Sequence, residues 1–247
     1  SPKLTANIAD HADVYGGRSL VFDGVVDKLN IDTIEIVNDF TISGWFKRQS
    51  LVTNYIFGHD ANNYIRFHGH DRFFIRIYGN SYFGDTTQIP FVIGNWFHLA
   101  LTRDSNNLMK LYFNGEKHSE EETSADYEFK TSYIGGSYHT SHNPYYGSMV
   151  DIKFFDAQLT ETQVTELYKK PENTPSAVQD NLVAWYPMCE GGKPESPQSI
   201  VYDHSEKKLG GELNPNPTFS NFTGDVPNGW TVVGDDDAGN NISQGSA

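Results

Sequence analysis

The sequence predicts an all-β protein, an antiparallel β-sandwich, and three observations support this prediction. Short runs of alternating apolar and polar residues follow one another from about residue 18 to 156, as in strands with two unlike faces. Turn residues separate the runs, among them Asn114 and Gly115, a strong hairpin signal. Aromatic residues make up 14% and charged residues 20% of the 247 residues, which is typical of a folded, β-rich chain.

The alternating runs define the predicted strands, and a carboxylate interrupts the last of them. The runs occupy residues 20–22, 28–31, 40–46, 55–58, 64–68, 73–78, 96–101, 111–113, 127–134 and 147–155. Asp151 lies in the middle of the last run. Burying an unpaired charge is too costly, so this side chain is expected to point to solvent or to find a partner such as a metal ion.

One helix is predicted after these strands. Thr160 is a good N-cap, and Gln163, three residues later, completes a capping box in which each side chain bonds to the backbone of the other residue. Pro171 ends the helix because proline cannot continue the backbone hydrogen bonds. The helix is expected to pack on the edge of the sandwich through an apolar face made of Val164, Leu167 and Tyr168.

The remaining third of the chain begins with a linker, residues 171–180, that is rich in Pro, Ser, Thr and Asn. An apolar run at 182–186 follows, and two interpretations of it stay open. It completes the sandwich as a permuted edge strand, or it opens the next module of a longer protein. The predicted limits are a sandwich at 1–175, an extension that completes or flanks it at 176–213, and the start of a further β module or an ordered tail at 214–247.

Composition and missing motifs exclude several classes of function. The formal net charge of −14 repels phosphate backbones and argues against nucleic acid as a partner. No apolar run approaches the length that spans a bilayer, so no membrane insertion is expected. The single cysteine, Cys189, excludes an intramolecular disulfide. The sequence contains no nucleophile elbow, phosphate-binding loop or paired-glutamate glucanase pattern, and the chain is predicted not to be an enzyme.

Five segments carry a resemblance to a known family. They are SLVFDG (19–24), DFTISGW (39–45), NWFHLALTRD (95–104), LYFNG (111–115) and GSMVDIKFF (147–155). Together they resemble the laminin G-like branch of the concanavalin A-like lectin and glucanase superfamily. The resemblance implies a jelly-roll sandwich and a lectin-like binding module rather than an enzyme, although this fold carries many unrelated functions.

A second, more specific resemblance concerns the source of the chain. The segment HADVYGGRSLVFDGV (11–25) is similar to the opening of domains in bacteriophage virion and tail proteins. It implies a location in a virion or on an extracellular surface, a role in adhesion, and other virion proteins as partners. A homotrimer would be expected if the chain comes from a tail fibre.

The resemblance also implies one structural calcium ion. Members of the superfamily often hold Ca²⁺ between a carboxylate of the last long strand and groups near the first strand. Asp151 matches that carboxylate, and Asp23 and Gly24 lie where the early ligands would be. Ca²⁺ takes six to eight oxygen ligands, so carbonyl groups and waters would supply the rest. In the alternative interpretation, Asp151 is an exposed strand residue and Asp23 forms a turn.

A first candidate binding surface follows from the alternation in two adjacent runs. Tyr64, Arg66 and His68 share one face of their strand, and Phe74, Arg76 and Tyr78 share one face of the next. Aromatic rings stack on the C–H faces of sugars, and guanidinium groups bind hydroxyls and carboxylates. His98 and Tyr112 are expected to extend this surface. Alternatively, these side chains only stabilise the sheet.

A second candidate is the loop at residues 135–147, which is rich in Tyr and His. Exposed rings on loops favour recognition because they supply contact area at low entropic cost. The loop residues predicted to bind ligand are Tyr138, His139, Tyr145 and Tyr146. Two histidines, His139 and His142, do not make a zinc site without further ligands.

The sequence therefore predicts a non-catalytic carbohydrate-recognition module, part of a phage tail or adhesion protein. Its expected partner is a glycan or a bacterial surface polysaccharide. The alternative is a purely structural or decoration domain of a virion assembly. A glycoside-cleaving enzyme is the third and least favoured possibility. That chemistry needs a pair of carboxylates, and the sequence does not indicate one.

Overall fold

A computed structural model describes residues 19–188 except 70, 85–87, 124–127, 140–142 and 172–173. Beyond residue 188 it describes Asp203, Ser205 and the strand residues 222–223, 226–227, 230–232 and 242–244. The chain divides into two units, Ser1–Lys207 and Lys208–Ala247. The first unit is a sandwich of two antiparallel sheets, which confirms the predicted fold class.

The strands of the first unit are distributed between the two sheets. In chain order they are β1 (Leu20–Asp23), β2 (Leu29–Val37), β3 (Phe40–Arg48), β4 (Asn54–Asp60), β5 (Asn63–His68), β6 (Arg72–Ile77), β7 (Asn80–Tyr82), β8 (Trp96–Arg103), β9 (Leu108–Phe113), β10 (Glu116–Glu122), β11 (Glu128–Ile134), β12 (Tyr146–Phe155) and β13 (Leu182–Tyr186). The first sheet has the order β1-β12-β3-β8-β9-β10, with β13 also paired to β12. The second sheet has the order β2-β11-β4-β5-β6-β7.

Strand β12 is long enough to pair with two short strands on the same side. Its first half pairs with β1, where Asp23 lies opposite Tyr146, and its second half pairs with β13, where Trp185 lies opposite Lys153. Beyond β13, Asp203 accepts a hydrogen bond from the backbone N–H of Trp185, with the two atoms 2.8 Å apart. Residues 182–186 thus form a strand of this sheet, while the predicted domain limits stay a prediction.

The core lies between the two sheets and follows from the alternation of side chains. The inward-facing residues of the neighbouring strands β5 and β6 are nearly or fully buried, namely Ile65, Phe67, Phe73, Ile75 and Ile77. They pack in one cluster with inward-facing residues of the first sheet, among them Ile42, Phe46, Phe97 and Ile152. Their partners in sequence, one position away, therefore point outward from the second sheet.

Helix α1 (Glu161–Lys169) covers the outer face of the first sheet. The predicted capping box is present: Thr160 Oγ1 accepts from the backbone N–H of Gln163, and the Gln163 side chain accepts from the backbone N–H of Thr160. Val164 and Leu167 are fully buried. They pack with residues of strands β8, β9, β12 and β13, so the helix lies over the face of the sheet. The sequence had suggested packing at the sandwich edge. The buried residues of this cluster include Ala100, Tyr112, Phe155 and Leu182.

A 3₁₀-helix (Ser176–Asn181) connects α1 to β13. The second unit contains two short antiparallel ladders, β14 (Phe222–Thr223) with β15 (Val226–Pro227), and β16 (Trp230–Val232) with β17 (Ile242–Gln244). Among the described residues, no helix has the length and apolar character required to cross a membrane.

Candidate functional site

The outer face of the second sheet brings together most of the first predicted binding surface. In the register of β5 and β6, Tyr64 lies opposite Arg76 and Arg66 lies opposite Phe74. On the other side, Arg66 lies opposite Tyr55 of β4. Directly opposed residues of antiparallel strands project from the same face of a sheet. These side chains therefore form one continuous surface.

Arg66 is at the centre of an aromatic cluster on this surface. Its guanidinium carbon lies 4.6 Å from the ring centroid of Phe74, 5.2 Å from that of Tyr64 and 5.6 Å from that of Tyr55. Its Nη1 donates a hydrogen bond of 3.1 Å to the Tyr55 hydroxyl. The Tyr64 and Phe74 rings are stacked, with centroids 5.8 Å apart. The aromatic rings and the Tyr55 hydroxyl thus hold the guanidinium in place before any ligand arrives.

Exposure divides the surface into a support and a contact layer. Tyr55 and Tyr64 are only 5% and 7% exposed, so their rings support the cluster from below. Arg66, His68, Phe74 and Arg76 are partly exposed. Tyr78 follows β6 and is 64% exposed.

Two buried nitrogen atoms of this surface lack a hydrogen bond. Within the described part of the chain, neither Arg66 Nε nor His68 Nδ1 has a partner. Buried polar atoms are almost always satisfied by protein, water or ligand. Both atoms lie below the accessible surface, so the groups that a ligand can reach are the outer atoms of the two side chains.

Electrostatics link the surface to the neighbouring loop. Burial raises the pKa of Tyr55; Arg66 opposes this rise, whereas Tyr64 and Tyr138 add to it. The Tyr55 hydroxyl therefore stays protonated at neutral pH. As a neutral hydroxyl it accepts the hydrogen bond from Arg66.

The predicted recognition loop is anchored to β4 beside the Arg66 cluster. The backbone N–H of Tyr55 donates to the carbonyl of Asn143, and the Asn54 amide donates to the carbonyl of Pro144. The loop begins at Gly135, whose φ of +77° is accessible to glycine at little cost. A Cβ there would lie 2.2 Å from the Phe22 ring, so the sharp turn requires glycine.

The four predicted loop residues have different positions. The Tyr138 and His139 rings meet edge to face with centroids 5.8 Å apart, and Tyr138 is 38% exposed. Tyr145 instead lies fully buried in the core against Phe22, and burial raises its pKa. The structure therefore removes Tyr145 from the surface. Tyr146 is 44% exposed, but it lies at the start of β12 in the first sheet.

The structure corrects the expectation that His98 and Tyr112 extend the sugar-binding surface. Both residues lie on the first sheet, under helix α1, and are almost completely buried. His98 Nε2 is 2.9 Å from Ser43 Oγ, and its ring packs against Trp45 and Tyr168. Alternation along a strand identifies the face of a side chain but not the sheet to which the strand belongs.

The residues predicted to bind calcium are not brought together. Asp23 lies opposite Tyr146, and Asp151 is five positions further along β12 (146 to 151), about 15 Å at the usual rise of a strand. Ligand oxygens of one Ca²⁺ lie within about 5 Å of each other. Asp23 and Asp151 therefore do not fit a single ion, and calcium binding stays a prediction.

Both carboxylates have other partners. Asp23 is fully exposed, and its Oδ1 accepts backbone N–H groups from Val25, Val26 and Asp27, which lower its pKa. Gly24, with φ of +73°, belongs to the same turn. Among the residues that the structure describes, no group of three or more His, Cys, Asp and Glu side chains is arranged to hold a metal ion.

Asp151 is held by a buried ion pair. Its Oδ1 is 2.5 Å from Lys153 Nζ and accepts a 2.8 Å hydrogen bond from Trp185 Nε1. Lys153 Nζ also donates to the carbonyl of Pro171 and lies 4.7 Å from the Trp185 ring centroid. Asp151 and Lys153 are 1% and 0% exposed. The sequence predicted that this charge faces solvent or has a partner such as a metal ion, and in the structure its partner is a lysine two residues away.

Several residues of the site were not among the predicted ligand-binding positions. Tyr55 completes the Arg66 cluster, and a bulge between Tyr55 and Phe57 sets its orientation. Lys28 donates to the carbonyl of Ser137 and so holds the recognition loop from the other side. Phe74 was placed on the correct face by alternation. His70, His142 and Cys189 lie outside the described residues.

Comparisons with known proteins agree with this architecture. A family model described as the concanavalin A-like lectin/glucanases superfamily matches residues 15–165. Domain 4 of AbnA, a GH43 extracellular arabinanase from Geobacillus stearothermophilus solved in complex with arabinotriose, is 24% identical with a TM-score of 0.51, over 62% of this chain and 77% of that chain. A candidate carbohydrate-binding protein from Bacteroides ovatus is 19% identical with a TM-score of 0.53, over 72% of this chain and 56% of that chain. No curated protein matches the sequence.

Proposed function

Because the chain belongs to the concanavalin A-like lectin/glucanases superfamily, we propose that it is a non-catalytic carbohydrate-recognition module. The observation that carries this proposal is the Arg66 cluster on the outer face of the second sheet. A positioned guanidinium and exposed ring surface together match the needs of a sugar.

The chemistry of the surface supports a polar, ring-shaped ligand. Phe74 and Tyr78 offer aromatic surface for the C–H face of a pyranose or furanose. Arg66 and His68 offer hydrogen bonds to hydroxyl groups, and Tyr138 lies in the neighbouring loop. Positioned aromatic and planar cationic groups lose little side-chain entropy on binding.

The likeness to two carbohydrate-binding structures is consistent with a glycan as ligand, although at these identities it concerns the fold alone. The proposed partner is a glycan or a bacterial surface polysaccharide, met outside the cell. A phage tail or adhesion protein would meet such a partner at the virion surface, and this assignment rests on the sequence resemblance of residues 11–25.

The test is binding of the purified chain to a panel of glycans and bacterial surface polysaccharides. Saturable binding to at least one member is expected. Arg66→Met keeps the apolar stem that packs on the rings but removes the guanidinium, and it should weaken binding about tenfold or more, the cost of a lost charged hydrogen bond. Arg76→Ala and Tyr78→Ala should weaken it as well.

Lys130→Ala is the matched control. Lys130 also carries one positive charge on the second sheet, but it pairs with Glu35 and Glu128 at partly exposed positions. Loss of such exposed ion pairs changes little. Equal binding by wild-type protein and Arg66→Met would contradict the proposed site. A panel with no binding at all would favour the structural role instead.

A further inference from the structure

A cavity lies on the opposite side of the sandwich from the Arg66 surface. It has a volume of about 590 Å³ and opens between the end of helix α1, the segment before β13, and the indole of Trp185. Lys169, Lys170 and Gln179 contribute to its lining. This volume falls within the range of small-molecule pockets, roughly 300 to 1,000 Å³.

Trp185 is fixed in position by buried groups. Its indole N–H donates to Asp151, the ammonium of Lys153 lies against the ring, and its backbone N–H donates to Asp203. The buried ion pair therefore orients one wall of the cavity. An aromatic ring held in this way is a platform for the apolar face of a sugar, because it loses no further rotational freedom on binding.

The charged groups of the described lining favour an anionic ligand. Lys169 and Lys170 are exposed, and neither ammonium has an ion-pair partner among the described residues. Glu166 is the one acidic residue among the lining residues that the structure describes. Among the described lining residues, two ammonium groups thus face one carboxylate, on a chain whose formal net charge is −14. The two ammonium groups attract an anion, and a single carboxylate is large enough to accept hydrogen bonds from both of them.

We propose that this cavity is a second binding site, which takes a sugar that carries one carboxylate, such as a uronic acid. The sugar ring lies against Trp185 and the carboxylate faces Lys169 and Lys170. The amide of Gln179 and the carboxylate of Glu166 bond to hydroxyl groups. The site is distinct from the Arg66 surface, since the two lie on the outer faces of different sheets.

The experiment is calorimetric titration of the full chain with glucuronic acid, and with glucose as the neutral counterpart. Wild-type protein should bind glucuronic acid at least about tenfold more tightly than glucose, as expected for charged hydrogen bonds to a carboxylate. Lys169→Ala with Lys170→Ala should remove this preference. Lys117→Ala with Lys130→Ala changes the net charge equally at exposed ion pairs elsewhere and should keep it.

Arg66→Met separates the two sites. It should leave the affinity for glucuronic acid unchanged, even if the panel experiment on the second sheet fails. No binding of glucuronic acid by wild-type protein would overturn the proposal. So would equal binding of the two sugars, or an affinity lost in Arg66→Met and retained in the Lys169 and Lys170 double variant.

Discussion

Asp151 and Lys153 show how one buried residue can depend on another. The carboxylate has φ of +58° and lies in a bulge of β12, a conformation that aspartate tolerates better than most residues. Asp151 and Lys153, two positions apart, contact each other directly beside the Trp185 indole. Without its counterion, the ammonium of Lys153 would remain buried and uncompensated, which costs far more than an exposed pair.

Asp151→Asn is therefore expected to destabilise the chain strongly. Removing one partner of a buried ion pair costs about 3 to 5 kcal/mol, measured as the free energy of unfolding in urea. The double variant Asp151→Asn with Lys153→Met removes both charges and should recover part of this loss. An unchanged urea midpoint for Asp151→Asn would show that the pair is not buried in solution.

His98 predicts a pH dependence of stability. Burial, with a smaller effect from the charge of Lys153, lowers the pKa of His98 from 6.5 to about 3. Between these values the unfolded chain holds a proton that the folded chain lacks. The contribution of neutral His98 to the free energy of unfolding is thus fully present above about pH 6.5 and is lost as the pH falls toward 3.

The measurement is urea unfolding at a series of pH values, with His98→Gln as the control that cannot titrate. Between pH 6.5 and about pH 4, the free energy of unfolding of the wild-type protein should fall by up to about 3 kcal/mol more than that of the control. Identical pH profiles for the two proteins would contradict a neutral, buried His98.

At the scale of elements, helix α1 and the loop at 135–145 decide what each sheet does. The capping box of α1 and its apolar face could be predicted because both depend on neighbours within four residues. The face against which the helix packs could not, since it depends on contacts with β8, β9 and β12, more than fifty residues of chain apart at their extremes. The helix covers one sheet and leaves the second for the Arg66 cluster.

The loop shows the same division. Its aromatic composition indicated recognition, and the structure places Tyr138 and His139 beside the Arg66 surface. Tyr145 is an aromatic residue of the same loop, yet its ring lies in the core. Its burial depends on space between Phe22, Phe46 and Phe67, which come from three other strands. No local pattern carries that information.

At the scale of the whole molecule, calcium binding is the prediction that still needs a direct measurement. The resemblance predicts a higher melting temperature in excess Ca²⁺ than in EGTA, because an ion that binds only the folded state stabilises it. Asp23→Asn should reduce this rise if the turn at Asp23 holds the ion. A melting temperature that does not change on adding calcium would contradict calcium binding.

The sequence by itself determined the fold class, the strand alternation and the faces of β5 and β6, because a strand's period of two is written in the order of its residues. It therefore placed Tyr64, Arg66 and His68 on one face of β5 and Arg76 on one face of β6, and the pairing of the two strands joins these faces into one surface. Only the tertiary structure decided that His98 belongs to the other sheet, that Tyr145 fills the core and that Asp151 pairs with Lys153 beside Trp185. Those outcomes depend on bulges, on strand order and on contacts between distant segments, which the spacing of residues along the chain does not specify.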